Sequence, residues 1–220
     1  MGTGARGGRY HTAAMVANTP TAPRQLILAS TSRYRRMLLE RLCLTFDVMS
    51  PGTDETLQPG ETPEQAARRL ALAKAHAVAV QAPDAVIIGS DQTATLDGSS
   101  TLGKPGSRER AREQLRAASG RVLTFHTALA VIDPIRNRAA VEVVDTRVRF
   151  RRLADAAIER YLDLEPALDC AGSAKAEGLG IALMETFESE DPTAIVGLPL
   201  IALTRMLGEA GIDVLGASAA

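Results

Sequence analysis

The sequence predicts an α/β fold in which helices flank a mixed central β-sheet. Segments typical of strands and of helices alternate along most of the chain. The apolar run at residues 85–88 is typical of a central strand that is covered on both faces. Two long β segments, at about 121–132 and 139–151, flank a turn near Asp133-Pro134 and therefore predict one antiparallel pair.

The composition is typical of a globular domain that binds neither nucleic-acid polymers nor membranes. The 220 residues are 45% hydrophobic and 23% charged, and the formal net charge is −1. Such a charge argues against a general nucleic-acid or membrane-surface binder, and no apolar run approaches the roughly 20 residues of a membrane span. The N-terminus has no apolar core typical of a secretory signal, and Cys43 and Cys170 suggest no disulfide framework. We therefore expect a cytoplasmic protein, with Cys43 in the core.

The chain divides into a short extension and one domain. Residues 1–23 are rich in Gly, Ala, Thr and Pro without periodicity, so we expect them to be disordered. They include a GxGxxG pattern at residues 2–7, but no strand precedes it and no helix follows, which rejects a dinucleotide site. Residues 24–216 are expected to form a single domain.

The predicted elements of this domain follow one another closely. Besides the segments named above, strands are predicted at about 25–29, 44–49 and 181–184, and helices at about 32–42, 62–81, 107–118, 154–164 and 200–208. Ser32 is typical of a helix N-cap, Pro63 of a first helical turn and Gly120 of a helix end. The buried face of the first helix is expected to consist of Met37, Leu38, Leu39 and Leu42.

The junction between the first strand and the first helix is typical of an anion site. Residues 30–36 read Ser-Thr-Ser-Arg-Tyr-Arg-Arg, so hydroxyl and guanidinium groups surround the free N–H groups of a helix N-terminus. Cations are unfavourable in a first turn, and a bound phosphate would remove that conflict. The alternative is a solvated helix start in which Arg36 pairs with Glu40 one turn later.

Three carboxylates are candidates for metal or proton chemistry. Asp91 follows the apolar strand, and α/β folds place active sites beyond such strand ends. Its carboxylate could bind a divalent metal, orient a water or take its proton, and Asp54 and Glu55 on a preceding loop could share the metal. The alternative is that Asp91 caps a turn.

The chain uses arginine for almost all of its positive charge. Only Lys74, Lys104 and Lys175 are lysines among the 25 basic residues, and an ammonium is a compact charge suited to a phosphate oxygen. The stretch that ends at Lys104 matches GxxxxGK, but Pro105 stands where a P-loop needs Ser or Thr, so we reject a P-loop ATPase. Lys175 and Glu177 lie in a loop flanked by glycines, where a charged pair is either close to a ligand or simply exposed.

Seven short motifs stand in order between about residues 25 and 215. They are Ser30-Thr-Ser-x-x-Arg35-Arg36, Asp54-Glu55-Thr56, Lys74, Gly89-Ser-Asp91-Gln92, Gly103-Lys104-Pro105, Lys175-x-Glu177-Gly178 and Gly197-Leu-Pro199. This series resembles the Maf family of nucleoside triphosphate pyrophosphatases. The resemblance implies one Maf-like domain over residues 24–216, with a Maf/ITPase-like form of the α/β fold.

The resemblance implies hydrolysis between the α- and β-phosphates, which gives a nucleoside monophosphate and pyrophosphate. It also implies a divalent metal, Mg²⁺ or Mn²⁺, held by Glu55 and Asp91, and it makes Asp91 the acceptor of the water proton. The triphosphate would be held by Ser30, Arg35, Arg36, Lys74, Lys104 and Lys175. A homodimer is compatible with the family, whereas neither a nucleic-acid polymer nor a membrane is an implied partner.

Three further positions indicate which nucleotide base the protein prefers. The branch similar to 7-methyl-GTP pyrophosphatases carries an aromatic residue before the paired arginines, a Gln after the catalytic Asp and a Glu in the later loop. This chain has Tyr34, where a Trp is typical of that branch, together with Gln92 and Glu177. Because N7-methylation makes guanine cationic, an aromatic face attracts it, and a carboxylate can accept from its N1–H and N2–H groups.

Two alternatives to this interpretation stay open. One is a dTTP/UTP pyrophosphatase of the same family, a branch that usually carries Gln where Glu177 stands. The other is a nucleotide-binding regulator of septum formation in which catalysis is incidental. The presence of Asp91, Glu55 and all three lysines favours a working enzyme.

Overall fold

A computed structural model describes residues 24–165 and 167–216, so the extension predicted at residues 1–23 lies outside the described residues. The strands are β1 (Leu26–Ala29), β2 (Asp47–Met49), β3 (Val86–Thr95), β4 (Val122–Asp133), β5 (Arg138–Phe150) and β6 (Met184–Ser189). The helices are α1 (Arg33–Glu40), α2 (Pro63–Ala79), α3 (Arg108–Ala118), α4 (Asp155–Leu164) and α5 (Leu200–Glu209). None of these helices combines the length and apolarity that a membrane span needs.

The strands form one mixed sheet, as predicted, in the spatial order β2-β1-β3-β4-β5-β6. β1 lies parallel to both β2 and β3. The predicted antiparallel pair is confirmed as β4–β5, but β3–β4 and β5–β6 are antiparallel as well, so the prediction was incomplete. The reason is that β3 extends well beyond residues 85–88 and continues to pair with β4 after its parallel pairing with β1 has ended.

Polar side chains cap the first three helices where the sequence predicted that these helices begin. The hydroxyl of Ser32 accepts a hydrogen bond from the N–H of Arg35 at 3.4 Å. Thr62 and Gln65 form a reciprocal capping box ahead of α2, which satisfies two backbone donors that have no partner within the helix. At α3, the hydroxyl of Ser107 accepts a hydrogen bond from the N–H of Arg110 at 3.3 Å. These local contacts explain why the helix starts could be predicted without tertiary information.

Two predictions about α1 were wrong. The helix buries Leu38 and Leu39, but Met37 is 58% exposed, because an eight-residue helix buries only a narrow stripe. Cys43, expected in the core, is exposed. It has a φ of 54°, in the left-handed region, and lies in the turn that follows the helix.

The strand predicted near residues 181–184 begins later than expected. Residues Leu179–Leu183 form a 3₁₀ segment, and β6 starts only at Met184. Gly180 packs so closely on Lys175 that a Cβ would lie 2.6 Å from the backbone nitrogen of that residue. This close packing fixes the segment as a turn, and apolar character alone did not distinguish the turn from a strand.

The contact between α2 and β3 determines where the site lies. Ala67, Ala71 and Ala75 of α2 are buried against the sheet. At Gly89 of β3, a Cβ would overlap the carbonyl oxygen of Ala71 and come within 2.8 Å of the Cβ of Ala75. Small residues on both sides therefore let helix and strand approach closely, which brings the inward side chain of Lys74 onto the strand.

Candidate active site

A cavity of about 680 Å³ opens where the parallel and antiparallel parts of the sheet meet. It is lined by the β1–α1 junction, α2, the middle of β3 and the loops around residues 51–57, 101–104, 169–177 and 195–197. Nine of the predicted site residues line it: Ser30, Tyr34, Arg35, Glu55, Lys74, Asp91, Gln92, Lys104 and Glu177. Arg36 and Lys175 are not among the lining residues.

Asp91 lies within β3 and not beyond its end. The parallel pairing of β3 with β1 ends at Ile88, three residues earlier, while Asp91 itself stands opposite Ala128 of β4. The expectation that Asp91 lies beyond a strand end was therefore wrong, although the parallel pairing of β3 with β1 does stop before this residue. Asp91 does not cap a turn, since its side chain bonds to Lys74.

Lys74 joins two carboxylates. Its Nζ lies 2.6 Å from Oδ1 of Asp91 and 2.6 Å from Oε1 of Glu55. The side chains of Lys74 and Asp91 are almost fully buried, whereas that of Glu55 is 61% exposed. Asp54, the other candidate on this loop, instead accepts hydrogen bonds from Thr56 and helps to fold the loop.

The surroundings of these carboxylates shift their acidities in opposite directions. Burial raises the pKa of Asp91 above its ordinary value, although the charges of Lys74 and Arg35 oppose the shift. The hydrogen bond from Lys74 lowers the pKa of the more exposed Glu55, and Lys104 also favours its ionised form. The site thus contains one carboxylate that holds a proton more readily than usual and one that stays ionised.

The strand-to-helix junction presents a fixed guanidinium group. Arg35 donates from Nε to the carbonyl of Gly197 at 2.9 Å and from Nη1 to the hydroxyl of Ser30 at 3.4 Å. The same hydroxyl accepts from the N–H of Ser32 at 3.1 Å. Burial lowers the pKa of Arg35, while the nearby charges of Asp91 and Glu55 favour its charged form. A cation, a hydroxyl and a helix N-terminus therefore face the cavity together.

The structure does not bring Arg36 to this cavity. Its side chain is 63% exposed, and its Nε lies 3.0 Å from Oε1 of Glu40. This is the pairing that the sequence offered as the alternative for the junction. An exposed pair of this kind contributes little stability.

Ser90 does not line the cavity but supports it, a role that sequence reasoning missed. It is completely buried and donates a hydrogen bond to the carbonyl of Gly197 at 2.8 Å. Arg35 donates to the same carbonyl, so the loop at Gly197 links β3 to α1. Both Ser90 and Gly197 stand within motifs of the sequence, but only their three-dimensional contact identifies this link.

A second group of polar side chains surrounds Tyr34. Its hydroxyl donates to Oδ2 of Asp169 at 3.0 Å and accepts from Nη2 of Arg33 at 2.7 Å. The guanidinium carbon of Arg33 lies 4.7 Å from the centre of the ring. Lys175 lies near this group, with its Nζ 3.6 Å from Oδ1 of Asp169. Nothing in the sequence pattern indicated Asp169, because it belongs to no motif and follows a predicted helix at an arbitrary distance.

The comparison with known families agrees with this arrangement. A family model described as "Maf-like protein" matches residues 25–210, which extend from before β1 to just beyond the end of α5. The chain belongs to the Maf family. The matched region contains every predicted site residue and both polar groups described above.

Several curated proteins are similar to this chain over almost their whole length. A protein of Bordetella pertussis is 60% identical over 194 residues, covering 88% of this chain and 96% of its own. A protein of Xanthomonas axonopodis pv. citri is 57% identical, with coverages of 86% and 98%, and one of Cupriavidus pinatubonensis is 57% identical, with coverages of 88% and 96%. Each of the three is named "7-methyl-GTP pyrophosphatase".

Similarity to solved structures is much weaker. A nucleoside-triphosphatase / dITP/XTP pyrophosphatase from Mycobacterium abscessus is 15% identical, with a TM-score of 0.44. The match covers 88% of this chain and 100% of that chain. Such a score carries no conclusion about function.

Gln92, one of the three positions linked to the base, has a fixed orientation. Its Nε2 lies within hydrogen-bonding distance of Oγ1 of Thr127 (2.8 Å) and the carbonyls of Ala194 (3.0 Å) and Ile195 (3.1 Å). Three acceptors around one nitrogen settle which end of the amide is the NH₂ group. The carbonyl oxygen of Gln92 therefore stays available as an acceptor. Glu177 is exposed at the cavity, so its carboxylate is also accessible.

The donor set of this Maf-family site is compatible with Mg²⁺ or Mn²⁺. Within residues 24–165 and 167–216, no three His, Cys, Asp or Glu side chains converge to hold a metal without other ligands. Glu55 and Asp91, however, both reach the same ammonium group. Two carboxylates completed by substrate phosphates and waters form an ordinary magnesium site in nucleotide enzymes, so the residues fit such an ion.

Proposed function

We propose that this protein is a nucleoside triphosphate pyrophosphatase that hydrolyses 7-methyl-GTP to 7-methyl-GMP and pyrophosphate. The observation that carries the proposal is the buried Lys74–Asp91 pair at a cavity that is also lined by Arg35 and Lys104. A cavity with a buried carboxylate and several cations suits the hydrolysis of a polyanion. The names of the relatives that are 57–60% identical support the choice of substrate.

The reaction follows from these groups. Arg35, Lys74 and Lys104 hold the triphosphate and offset the negative charge that develops during phosphoryl transfer. Asp91 takes a proton from a water whose oxygen bonds to the α-phosphorus, while the bond from that phosphorus to the α–β bridging oxygen breaks and pyrophosphate leaves. Because burial raises the pKa of Asp91, its carboxylate is a stronger base than an exposed aspartate.

Glu55 and Asp91 are the residues that would hold a divalent cation, Mg²⁺ or Mn²⁺. When bound, this cation would supply further positive charge against the phosphate oxygens. Before substrate binds, Lys74 keeps these two carboxylates close to each other, since its ammonium group bonds to both. Ser30 adds a hydroxyl to the phosphate side of the cavity.

The base is assigned to the other side of the cavity. Tyr34 offers an aromatic face to a cationic ring, an attraction worth about 0.5–2 kcal/mol. Glu177 offers a carboxylate that accepts from the N1–H and N2–H groups of guanine and offsets the charge of the methylated ring. Gln92 has its NH₂ group bonded within the protein and contributes an acceptor. Lys175 is assigned to this side as well, since it lies beside Asp169 and not beside Asp91.

A nucleotide panel with detection of pyrophosphate tests the proposal. With Mg²⁺ or Mn²⁺, 7-methyl-GTP should give equal amounts of monophosphate and pyrophosphate, and faster than GTP, UTP or dTTP. Release of single phosphate would reject the cleavage site. A preference for UTP and dTTP would select the pyrimidine branch of the family, and nucleotide binding without turnover would select a regulatory role. The cytoplasmic location and the homodimer stay predictions.

A further inference from the structure

Tyr34 is held more firmly than a first-turn aromatic residue needs to be. Its hydroxyl bonds to the carboxylate of Asp169 at 3.0 Å and to the guanidinium of Arg33 at 2.7 Å. Asp169 is distant in sequence, on the loop that leads to Glu177, and it lines the same cavity. A hydrogen bond between α1 and this loop therefore crosses the cavity edge.

We propose that Asp169 is a specificity-determining positioning residue, which fixes the ring of Tyr34 as the platform for a cationic base. This inference rests on the proposed function, because it assumes that the base is N7-methylated guanine. Asp169 belongs to none of the motifs that link the chain to its family.

The first argument is geometric. A stacking platform needs a fixed ring plane and at least one open face. Arg33 covers one face of Tyr34, with its guanidinium carbon 4.7 Å from the ring centre, so that only the opposite face is left for a base. The bond to Asp169 holds the far end of the ring and prevents the side chain from changing rotamer without losing a charge-assisted hydrogen bond.

The second argument is electrostatic. Arg33 and Lys175 place two positive charges beside the platform, and both would repel a cationic ring. Asp169 lies 3.6 Å from each of them, between Oδ2 and Nη2 of Arg33 and between Oδ1 and Nζ of Lys175. The carboxylate offsets these charges locally. As an acceptor from the phenol, it also increases the electron density of the ring, which strengthens the attraction for a cation.

The ionisation of Asp169 is consistent with this role. Partial burial opposes the charged form, but the hydrogen bond from Tyr34 and the charge of Lys175 outweigh it and lower the pKa of Asp169. The carboxylate is therefore charged throughout the neutral range. A neutral base would gain little from either effect, so Asp169 should discriminate between methylated and unmethylated guanine.

Isothermal titration calorimetry with 7-methyl-GMP and GMP tests the inference directly. The variants are Asp169→Asn, Tyr34→Phe and the double variant. Asp155→Asn is the control, since Asp155 is also an exposed carboxylate paired with an arginine, Arg116, but does not line the cavity. Asp169→Asn should weaken binding of 7-methyl-GMP about five- to tenfold, as expected for the loss of a charge-assisted hydrogen bond, and change GMP binding less than twofold.

Kinetics and the double variant separate positioning from a general structural effect. Asp169→Asn should raise KM for 7-methyl-GTP by a similar factor and leave kcat within about twofold, because Asp169 acts on the base and not on the phosphates. In the Tyr34→Phe background, Asp169→Asn should have at most a third of its effect, since the hydroxyl through which it acts is gone. The control should match the wild type.

Several outcomes would overturn the inference. Equal losses for 7-methyl-GMP and GMP would show a structural role, and an undiminished effect in the Tyr34→Phe background would show that Asp169 acts independently of Tyr34. A wild type that binds both monophosphates equally would remove the platform itself. By contrast, a wild type that prefers 7-methyl-GMP but does not cleave 7-methyl-GTP would reject the proposed function and leave the base platform in place.

Discussion

The ammonium group of Lys74 lies 2.6 Å from Oδ1 of Asp91, and both side chains are almost completely buried. A buried carboxylate without a partner would favour its protonated form. The positive charge of Lys74 favours the ionised form of Asp91. Its ammonium group also holds the carboxylate in one position.

Asp91→Asn should abolish turnover while leaving nucleotide binding within a few-fold of the wild type. The amide keeps the size of the side chain but cannot take a proton from water, and general-base catalysis typically contributes about 10²–10⁴-fold. Single-turnover hydrolysis and titration with 7-methyl-GTP measure the two properties separately. Unchanged activity would remove Asp91 from the mechanism.

The pH profile of kcat should respond to Lys74. Asp91 must be ionised to act as a base, and burial raises its pKa, so activity should fall on the acid side at a higher pH than for an ordinary aspartate. The charge of Lys74 opposes that shift. Lys74→Met should therefore shift the acid limb of the kcat profile to a still higher pH, in addition to lowering kcat itself. Lys175→Met is the matched control and should leave the acid limb at the same pH. If the acid limb of Lys74→Met stays at the same pH or moves to a lower one, Asp91 is not the base whose pKa Lys74 lowers.

Arg35 and Arg36 are adjacent in α1, but only the loss of Arg35 should lower kcat/KM strongly. Arg35 is held by Gly197 and Ser30 at the cavity, whereas Arg36 pairs with Glu40 in solvent. Arg35→Gln should lower kcat/KM by about 10²-fold or more, as expected for a lost charge at a phosphoryl-transfer site. Arg36→Gln should stay within about twofold, in line with the small energies of exposed pairs. Steady-state kinetics decides between them, and a large loss for Arg36→Gln would place that residue on the substrate.

Gly89→Ala should destabilise the protein and impair catalysis together. The new methyl group would overlap the carbonyl of Ala71 and press against Ala75, which forces α2 and Lys74 away from β3. We expect a loss of about 2–4 kcal/mol in the free energy of unfolding, measured with urea. Gly208→Ala is the control, because that glycine lies in α5 with nothing within 4 Å of a Cβ and the change should be neutral or stabilising by up to about 1 kcal/mol. Equal stabilities of the two variants would exclude tight packing at Gly89.

Glu177→Gln should weaken the preference for methylated guanine. The amide keeps one acceptor oxygen but removes the negative charge that offsets the charge of the ring. The ratio of kcat/KM for 7-methyl-GTP to that for GTP should fall by about tenfold, close to the 1.4 kcal/mol of one charge-assisted contact. UTP and dTTP serve as reference substrates in the same panel. An unaltered ranking would mean that Glu177 does not read the base.

Features of the fold that depend on local sequence could be predicted. Ser32 and Thr62 cap the first two helices where the pattern placed them, because capping is a contact between residues that are close in the chain. The apolar run at 85–88 is buried as expected. Most of the predicted side chains line a single cavity, although the motifs lie on different kinds of element: a strand-to-helix junction, a helix face, the middle of a strand and several loops.

Features that depend on distant contacts could not be predicted. The strand at Asp91 does not end after Ile88, because the pairing of β3 with β4 continues to Thr95, and no local signal shows that pairing. Lys175 lies beside Asp169 and not beside Asp91, since loop geometry and not loop composition sets where an ammonium group lies. Cys43 is exposed because a positive φ turns the chain there, which an apolar neighbourhood does not reveal.

The residues assigned to hydrolysis and those assigned to the base lie on different elements, which affects how the substrate specificity of such a protein can change in evolution. Asp91 and Lys74 lie on a buried strand and a buried helix face, so most substitutions around them would damage the core as well as the reaction. Asp169 and Glu177 are exposed residues between α4 and β6, and substitutions at exposed loop positions usually have little effect on stability. After gene duplication, a few loop mutations could therefore change which base the protein prefers. Asp91 and Lys74, which carry the hydrolysis, would stay unchanged.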